Sequence, residues 1–170
     1  MRIFLIGLPG SGKTTLGKSL AKMLDLEFID LDEVIVKNQG RSIEKIFKED
    51  GEDKFREIEA EALRTLTTKK NVIISVGGGT PCFHDNITVM NVSGITVFFD
   101  VPVSVITERL WNQPDRENRP IIANKTKDEL KTFIETLYQK RSVFYKEAKL
   151  ILPGSNIQPE AVIEALNEMD

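Results

Sequence analysis

Near the N-terminus, Gly7-Leu8-Pro9-Gly10-Ser11-Gly12-Lys13-Thr14 follows the apolar run Ile3-Phe4-Leu5-Ile6 and precedes a helical pattern of Leu16, Leu20, Met23 and Leu24. A strand, a glycine-rich loop and a helix in that order constrain the fold strongly, because backbone N–H groups and a helix N-terminus converge on one spot. Such a spot suits phosphate oxygens. Gly10, Ser11, Gly12, Lys13, Thr14 and Thr15 are therefore candidate nucleotide-binding residues, with Lys13 reaching the terminal phosphates and Thr14 ligating Mg²⁺. A plain glycine turn is the alternative, and the position between strand and helix weighs against it.

Downstream, Glu27–Asp30 reads as a second strand, and Ser42 as the cap of a helix containing Ile43, Ile46 and Phe47. Asp53 to Thr68 is a charged amphipathic helix with Phe55, Ile58, Ala62, Leu63 and Leu66 on its apolar side. Val72–Val76, closed by Gly77-Gly78-Gly79, and Ile95–Asp100 are continuous apolar runs of the kind buried parallel strands need. A helix follows Pro102 to about Leu110, and the polar stretch Asn112–Asn124 reads as a mobile loop. A helix from Lys127 to about Ala148, a strand Leu150–Leu152 and a helix after Pro159 complete the chain. Five strands alternating with helices predict an α/β fold whose sheet is mostly parallel, with helices on both faces. Neither an internal repeat nor a linker interrupts the 170 residues, and 41% hydrophobic content suffices for one folded unit.

Charge narrows the function. Lys and Arg number 23 against 26 Asp and Glu, a net charge of −3, which gives no global attraction to nucleic acid or an anionic membrane. One cysteine, Cys82, and one histidine, His84, exclude an internal disulfide and a structural zinc site, and fit a reducing cytoplasm. No apolar run approaches the roughly 20 residues that span a bilayer, and the first strand is too short for a secretory signal.

Further candidates cluster after the strands. Asp30-Leu31-Asp32 follows the second strand, where a period of two puts both carboxylates on one side, at the end where parallel sheets bind ligands. They are either a helix start, with Asp32 capping Glu33–Val36, or a metal acid beside an acid for an acceptor hydroxyl. Arg56 and Glu59 lie three apart on one helical face, either a solvated pair or a guanidinium held by its carboxylate. Gly77, Gly78 and Gly79 let backbone approach a ligand closely. Arg116 and Arg119 in the polar loop are suited to closing over phosphates, whereas Arg141 alone reads as a helix-face charge. Asn124–Asp128 approximates the guanine-reading Asn-Lys-x-Asp, but its Asp falls one residue late. Cys82 and His84 read as bystanders, and Trp111 as packing at the loop hinge.

The ordered set of phosphate loop, Asp30-Leu31-Asp32, Gly40-Arg41-Ser42-Ile43, Phe55-Arg56-x-x-Glu59, Gly77-Gly78-Gly79, Arg119-Pro120 and Arg141 resembles the shikimate kinase family from Ile3 to about Pro159. The resemblance implies a three-layer P-loop fold of the nucleoside monophosphate kinase type with strand order 2-3-1-4-5. It implies a substrate-binding lobe at about 33–61 and a lid at about 112–124. It further implies transfer of the γ-phosphate of ATP to the 3-hydroxyl of shikimate with Mg²⁺, by a cytoplasmic monomer. By the same resemblance Arg56 and Arg141 clamp the shikimate carboxylate, Glu59 orients Arg56, and the Gly78 N–H meets the substrate. Asp32 binds ring hydroxyls and orients or deprotonates the attacking one, Asp30 holds the Mg²⁺ shell through water beside Thr14, and Lys13 and Arg119 neutralise the transferring phosphoryl. Arg109 and Pro159 flank the adenine. Arg119-Pro120-Ile121-Ile122 departs from the usual Arg-Pro-Leu-Leu, after a segment about two residues longer than usual. Two rivals share the core: another small-molecule kinase, such as a gluconate or nucleoside monophosphate kinase, and a nucleotide-dependent switch.

Overall fold

A computed structural model describes residues 1–114 and 123–169. The first strand, β1 (Arg2–Ile6), has Ile3, Phe4, Leu5 and Ile6 fully buried. That is why it is apolar without alternation: both of its faces are covered. It pairs in parallel with β3 (Val72–Ser75) on one side and β4 (Ile95–Asp100) on the other. β2 (Glu27–Asp30) joins β3, and β5 (Leu150–Pro153) joins β4, so the order is β2-β3-β1-β4-β5, all parallel. The phosphate loop after β1 therefore sits next to the glycine turn after β3, at the ligand-binding end of the sheet.

Helix α1 (Lys13–Leu24) packs directly on that sheet through Gly17, where a Cβ would lie 2.6 Å from Phe28 and 2.8 Å from Leu5. Helix α2 (Leu31–Gln39) begins immediately after β2 and stops at Gly40. Ser42 caps α3 (Ile43–Leu66), its hydroxyl accepting from the Lys45 N–H at 3.2 Å. The two helices read from the sequence are the two halves of α3, broken at Gly51, whose φ of 84° leaves helical geometry. The Arg41 guanidinium pairs with Glu49 and Asp50 and so closes the first half on itself.

After β3 come a single 3₁₀ turn (Thr80–Cys82) and α4 (Asn86–Ser93), which the sequence reading lacks. α5 (Val103–Trp111) and α6 (Lys127–Tyr145) pack on each other, and α7 (Pro159–Asn167) closes the described chain. Thr126 and Glu129 form a capping box at the start of α6, which accounts for the Asn124–Asp128 stretch as a helix start. Among the described residues, no helix is long and apolar enough to cross a membrane.

The junction of α4 with β4 admits only a glycine: a Cβ on Gly94 would stand 2.6 Å from the Arg2 carbonyl oxygen. Because backbone cannot swing aside as a side-chain end does, Gly94→Ala is expected to destabilise the protein by about 1–3 kcal/mol. Urea denaturation measures it, and the midpoint should fall without loss of fold.

Candidate active site

The phosphate loop is held open by its glycines. Gly7, Gly10 and Gly12 have φ of 145°, 82° and 91°, a region that L side chains rarely adopt. Gly12 is the N-cap of α1 and offers no side chain, and the first turn contains no acid. The N–H groups and positive end of α1 are thus left for an external anion. Lys13 is buried, and its ammonium donates to the Gly7 and Leu8 carbonyls at 2.9 and 3.0 Å and to Ser11 Oγ at 3.4 Å. Burial pushes it down to about 8, against the opposing pull of Asp32 and Asp30.

Asp30 and Asp32 converge by a route different from the one the sequence suggested. The strand stops at Asp30 and α2 starts at Leu31, so alternation does not extend to Asp32. Asp30 itself is the N-cap, accepting the Asp32 N–H at 3.0 Å, and the alternative in which Asp32 caps the helix is likewise corrected. The second Asp30 oxygen accepts from Thr14 Oγ1 at 3.1 Å, which joins the cap to the phosphate loop. Burial, then the charges of Asp30 and Glu59, push Asp32 up to about 6. One hydroxyl and one carboxylate at Thr14 and Asp30 fit Mg²⁺, which binds through few protein groups and completes its shell with water and phosphate. Among the described residues no cluster of three or more His, Cys, Asp or Glu offers an all-protein cage.

The glycine turn brings the remaining candidates together. None of Gly77, Gly78 and Gly79 needs a positive φ; what they need is room. A Cβ on Gly79 would lie 2.5 Å from Arg56 Nη2, one on Gly78 3.1 Å from Arg141 Nη1, and one on Gly77 3.3 Å from Glu59 Oε1 and 3.4 Å from Asp32 Oδ1. Arg56 and Glu59 form a buried pair at 2.9 Å, not a solvated one, with side chains 8% and 1% exposed. Thr80 Oγ1 donates to the other Glu59 oxygen, Glu52 accepts from Arg56 Nη2 at 3.2 Å, and the Phe83 ring lies 4.3 Å from the guanidinium carbon.

Two adjoining cavities of about 450 and 440 Å³ flank the loop and share Gly10, Gly12, Thr15 and Gln113. Arg109 and Pro159 line the first, which has the size and position for a nucleoside; Lys13, Thr14, Asp30, Asp32, Gly77 and Gly78 line the second. Arg109 also donates to the Gly10 and Ser155 carbonyls. Arg116 and Arg119, with most of the expected lid, lie outside the described residues. Cys82 is half-buried and burial pushes its thiol up to about 11, the opposite of an activated nucleophile. Trp111 ends α5 against the core.

Thr80, Phe83 and Tyr145 went unnoticed in the sequence. Tyr145 had one available signal, its place four residues after Arg141 on a helix; Thr80 and Phe83 had none.

An all-parallel sheet with a phosphate loop, a metal-suited Thr-Asp pair and an acceptor cleft rich in fixed charge defines a P-loop phosphotransferase acting on a small molecule. The chain belongs to the shikimate kinase family, whose profile matches residues 9–170. It is 44% identical over 164 residues to the shikimate kinase of Phocaeicola vulgatus, covering 96% of this chain and 93% of that protein. The crystal structure of the Bacteroides thetaiotaomicron shikimate kinase superposes with a TM-score of 0.92 at 41% identity, covering 99% and 97% of the two chains. The Acinetobacter baumannii shikimate kinase in complex with shikimate superposes with a TM-score of 0.85 at 28% identity, covering 99% and 91%.

The raised Asp32 carboxyl has a signed consequence. Between about pH 4 and 6 the native state holds a proton that the unfolded chain has lost, so this group's contribution to stability declines as pH rises through that window. Asp32→Asn is expected to stabilise the nucleotide-free protein at pH 7, by on the order of 2 kcal/mol, with the gain vanishing below pH about 4. Urea denaturation of both proteins across that range measures it.

Proposed function

We propose that the two cavities divide the reaction between them, the first holding the adenosine of ATP and the second the triphosphate end and the acceptor. The reaction is transfer of the γ-phosphate of ATP to the 3-hydroxyl of shikimate, a step of aromatic amino-acid biosynthesis. The single observation that carries the acceptor assignment is the pair of guanidiniums, Arg56 and Arg141, against a glycine turn that also touches Asp32. Two guanidiniums suit a small carboxylate, with charge-assisted and potentially bidentate hydrogen bonds. The relative solved with shikimate bound supports the same acceptor.

In this reading Arg56, held by Glu59, and Arg141 clamp the carboxylate, while the Gly78 N–H and the walls formed by Gly77 and Gly79 fit the ring. Asp32 accepts a hydrogen bond from the 3-hydroxyl; its oxygen attacks the γ-phosphorus, the bond to the β-phosphate oxygen breaks, and the proton passes to Asp32 as ADP departs. A carboxyl near pKa 6 is matched to that role at neutral pH. Lys13 leaves its loop carbonyls to meet the phosphates, and Gly10, Ser11, Gly12, Thr14 and Thr15 cradle them. Mg²⁺, held at Thr14 and through water at Asp30, supplies charge neutralisation on the phosphates. Arg119 adds positive charge from the lid, about 112–124, and the lobe at about 33–61 carries the acceptor seat. Arg109 and Pro159 sandwich the adenine. The protein works as a monomer in the cytoplasm, a reducing compartment that suits a lone free cysteine.

ADP release with ATP and Mg²⁺ should rise strongly with shikimate and not with gluconate or a nucleoside monophosphate; equal stimulation by gluconate would overturn the acceptor. Arg56→Ala should raise the shikimate KM at least about tenfold, or about 1.4 kcal/mol, with ATP affinity little changed. Asp32→Asn should lower kcat by about 100-fold or more, which single-turnover product formation measures.

A further inference from the structure

Tyr145 heads the large side chains that are fully buried among the described residues, and nothing in the phosphoryl transfer above makes use of it. A phenylalanine would fill the same space without a hydroxyl to satisfy. The hydroxyl is satisfied in a particular way. It donates to the carbonyl oxygen of Gly78, 67 residues away, and Arg141, one turn earlier on α6, lies against the same glycine, its Nη1 3.1 Å from where a Gly78 Cβ would stand. The ring leans on Phe98 of β4 with centroids 5.0 Å apart. One side chain thus touches the helix that bears a guanidinium of the acceptor seat, the turn that forms its wall, and the sheet beneath both.

The turn needs such an anchor. Three successive residues without Cβ have the least steric restraint on their own backbone, and Gly78 has no side chain through which neighbours could fix it. The Gly78 carbonyl and the Gly79 N–H share one peptide plane and point in opposite directions. Holding the carbonyl therefore aims the Gly79 N–H away from Tyr145 and removes one of the torsions through which the Gly78 N–H could drift. Burial keeps the phenol protonated well above neutral pH, so the donor persists.

We propose that Tyr145 is a positioning residue of the acceptor seat: its hydroxyl holds the Gly78 carbonyl where the turn lies against Arg141, so the glycine turn and the guanidinium meet the acceptor carboxylate as one preformed unit. The inference rests on the acceptor reading given above. Preorganisation of this kind favours binding of the acceptor, because ordering the turn is no longer charged against association, and leaves the nucleotide side untouched.

Tyr145→Phe keeps the ring and its contact with Phe98 while removing the hydroxyl. Its shikimate KM should rise at least about fivefold, with the KM for MgATP and kcat within about twofold of wild type. In a double-mutant cycle with Arg141→Ala the two effects should be less than additive. Tyr145→Leu, which also removes the ring, should lower the melting temperature well below that of Tyr145→Phe. An unchanged shikimate KM in Tyr145→Phe, or an equal rise in both KM values, overturns the inference. Arg56→Ala assayed alongside separates the two levels: if it raises the shikimate KM and Tyr145→Phe does not, only the role of Tyr145 falls; if neither does, the acceptor seat itself is wrong.

Discussion

Taking a guanidinium and a carboxylate out of water is costly unless each meets the other and their remaining hydrogen-bonding groups find partners, and Arg56 with Glu59 sets this condition for the cleft. The rest of the turn region follows from meeting it. Gly79 has no side chain because the guanidinium lies against its backbone, and Thr80 is fully buried because the second Glu59 oxygen needs a donor. Asn86, at the start of α4, donates to the Thr80 carbonyl at 3.0 Å, and its own oxygen accepts from Arg64 on α3 at 3.4 Å. A polar chain thus runs from one turn of α3 through α4 and the glycine turn back to another. Removing either member of the pair alone leaves a buried charge unpaired, at a cost of about 3–5 kcal/mol.

The same cleft sets its titrations against one another. Burial drives Lys13 down and Asp32 up, and each charge partly restores the other. Before nucleotide arrives, the Lys13 ammonium rests on loop carbonyls, which keep it hydrogen-bonded without neutralising it. The strand order makes this arrangement productive: β1 and β3 are direct neighbours, so the loop and the turn to which we assign phosphate and acceptor leave the sheet side by side. Catalysis then consists of positioning and charge placement, which is what phosphoryl transfer requires of a protein.

Local chemistry was readable from the sequence, and distant pairing was not. The strand, loop and helix around Lys13, the Ser42 cap and the apolar strands are short-range patterns, and they appear in the structure where they were expected. Strand order 2-3-1-4-5 came from family resemblance, since spacing alone does not choose it. α4 was missed because Asn86–Ser93 is rich in β-branched residues and lacks charges, which erases the helical period. Asp32 shares the cleft with Asp30 as the sequence reading expects, but it gets there through the first turn of α2, because a cap and not strand alternation sets its direction. Thr80 and Tyr145 act on partners 21 and 67 residues away, distances over which no single-sequence pattern carries information.

In the proposed acceptor seat, the guanidiniums of buried Arg56 and half-buried Arg141 beside the glycine turn recognise a carboxylate on the acceptor. Steady-state transfer to shikimate compared with its methyl ester, which keeps every ring hydroxyl and removes the negative charge, tests this most directly. The ester should lose at least about tenfold in kcat/KM, chiefly through KM, while the KM for ATP stays the same. Equal kcat/KM for acid and ester would contradict it.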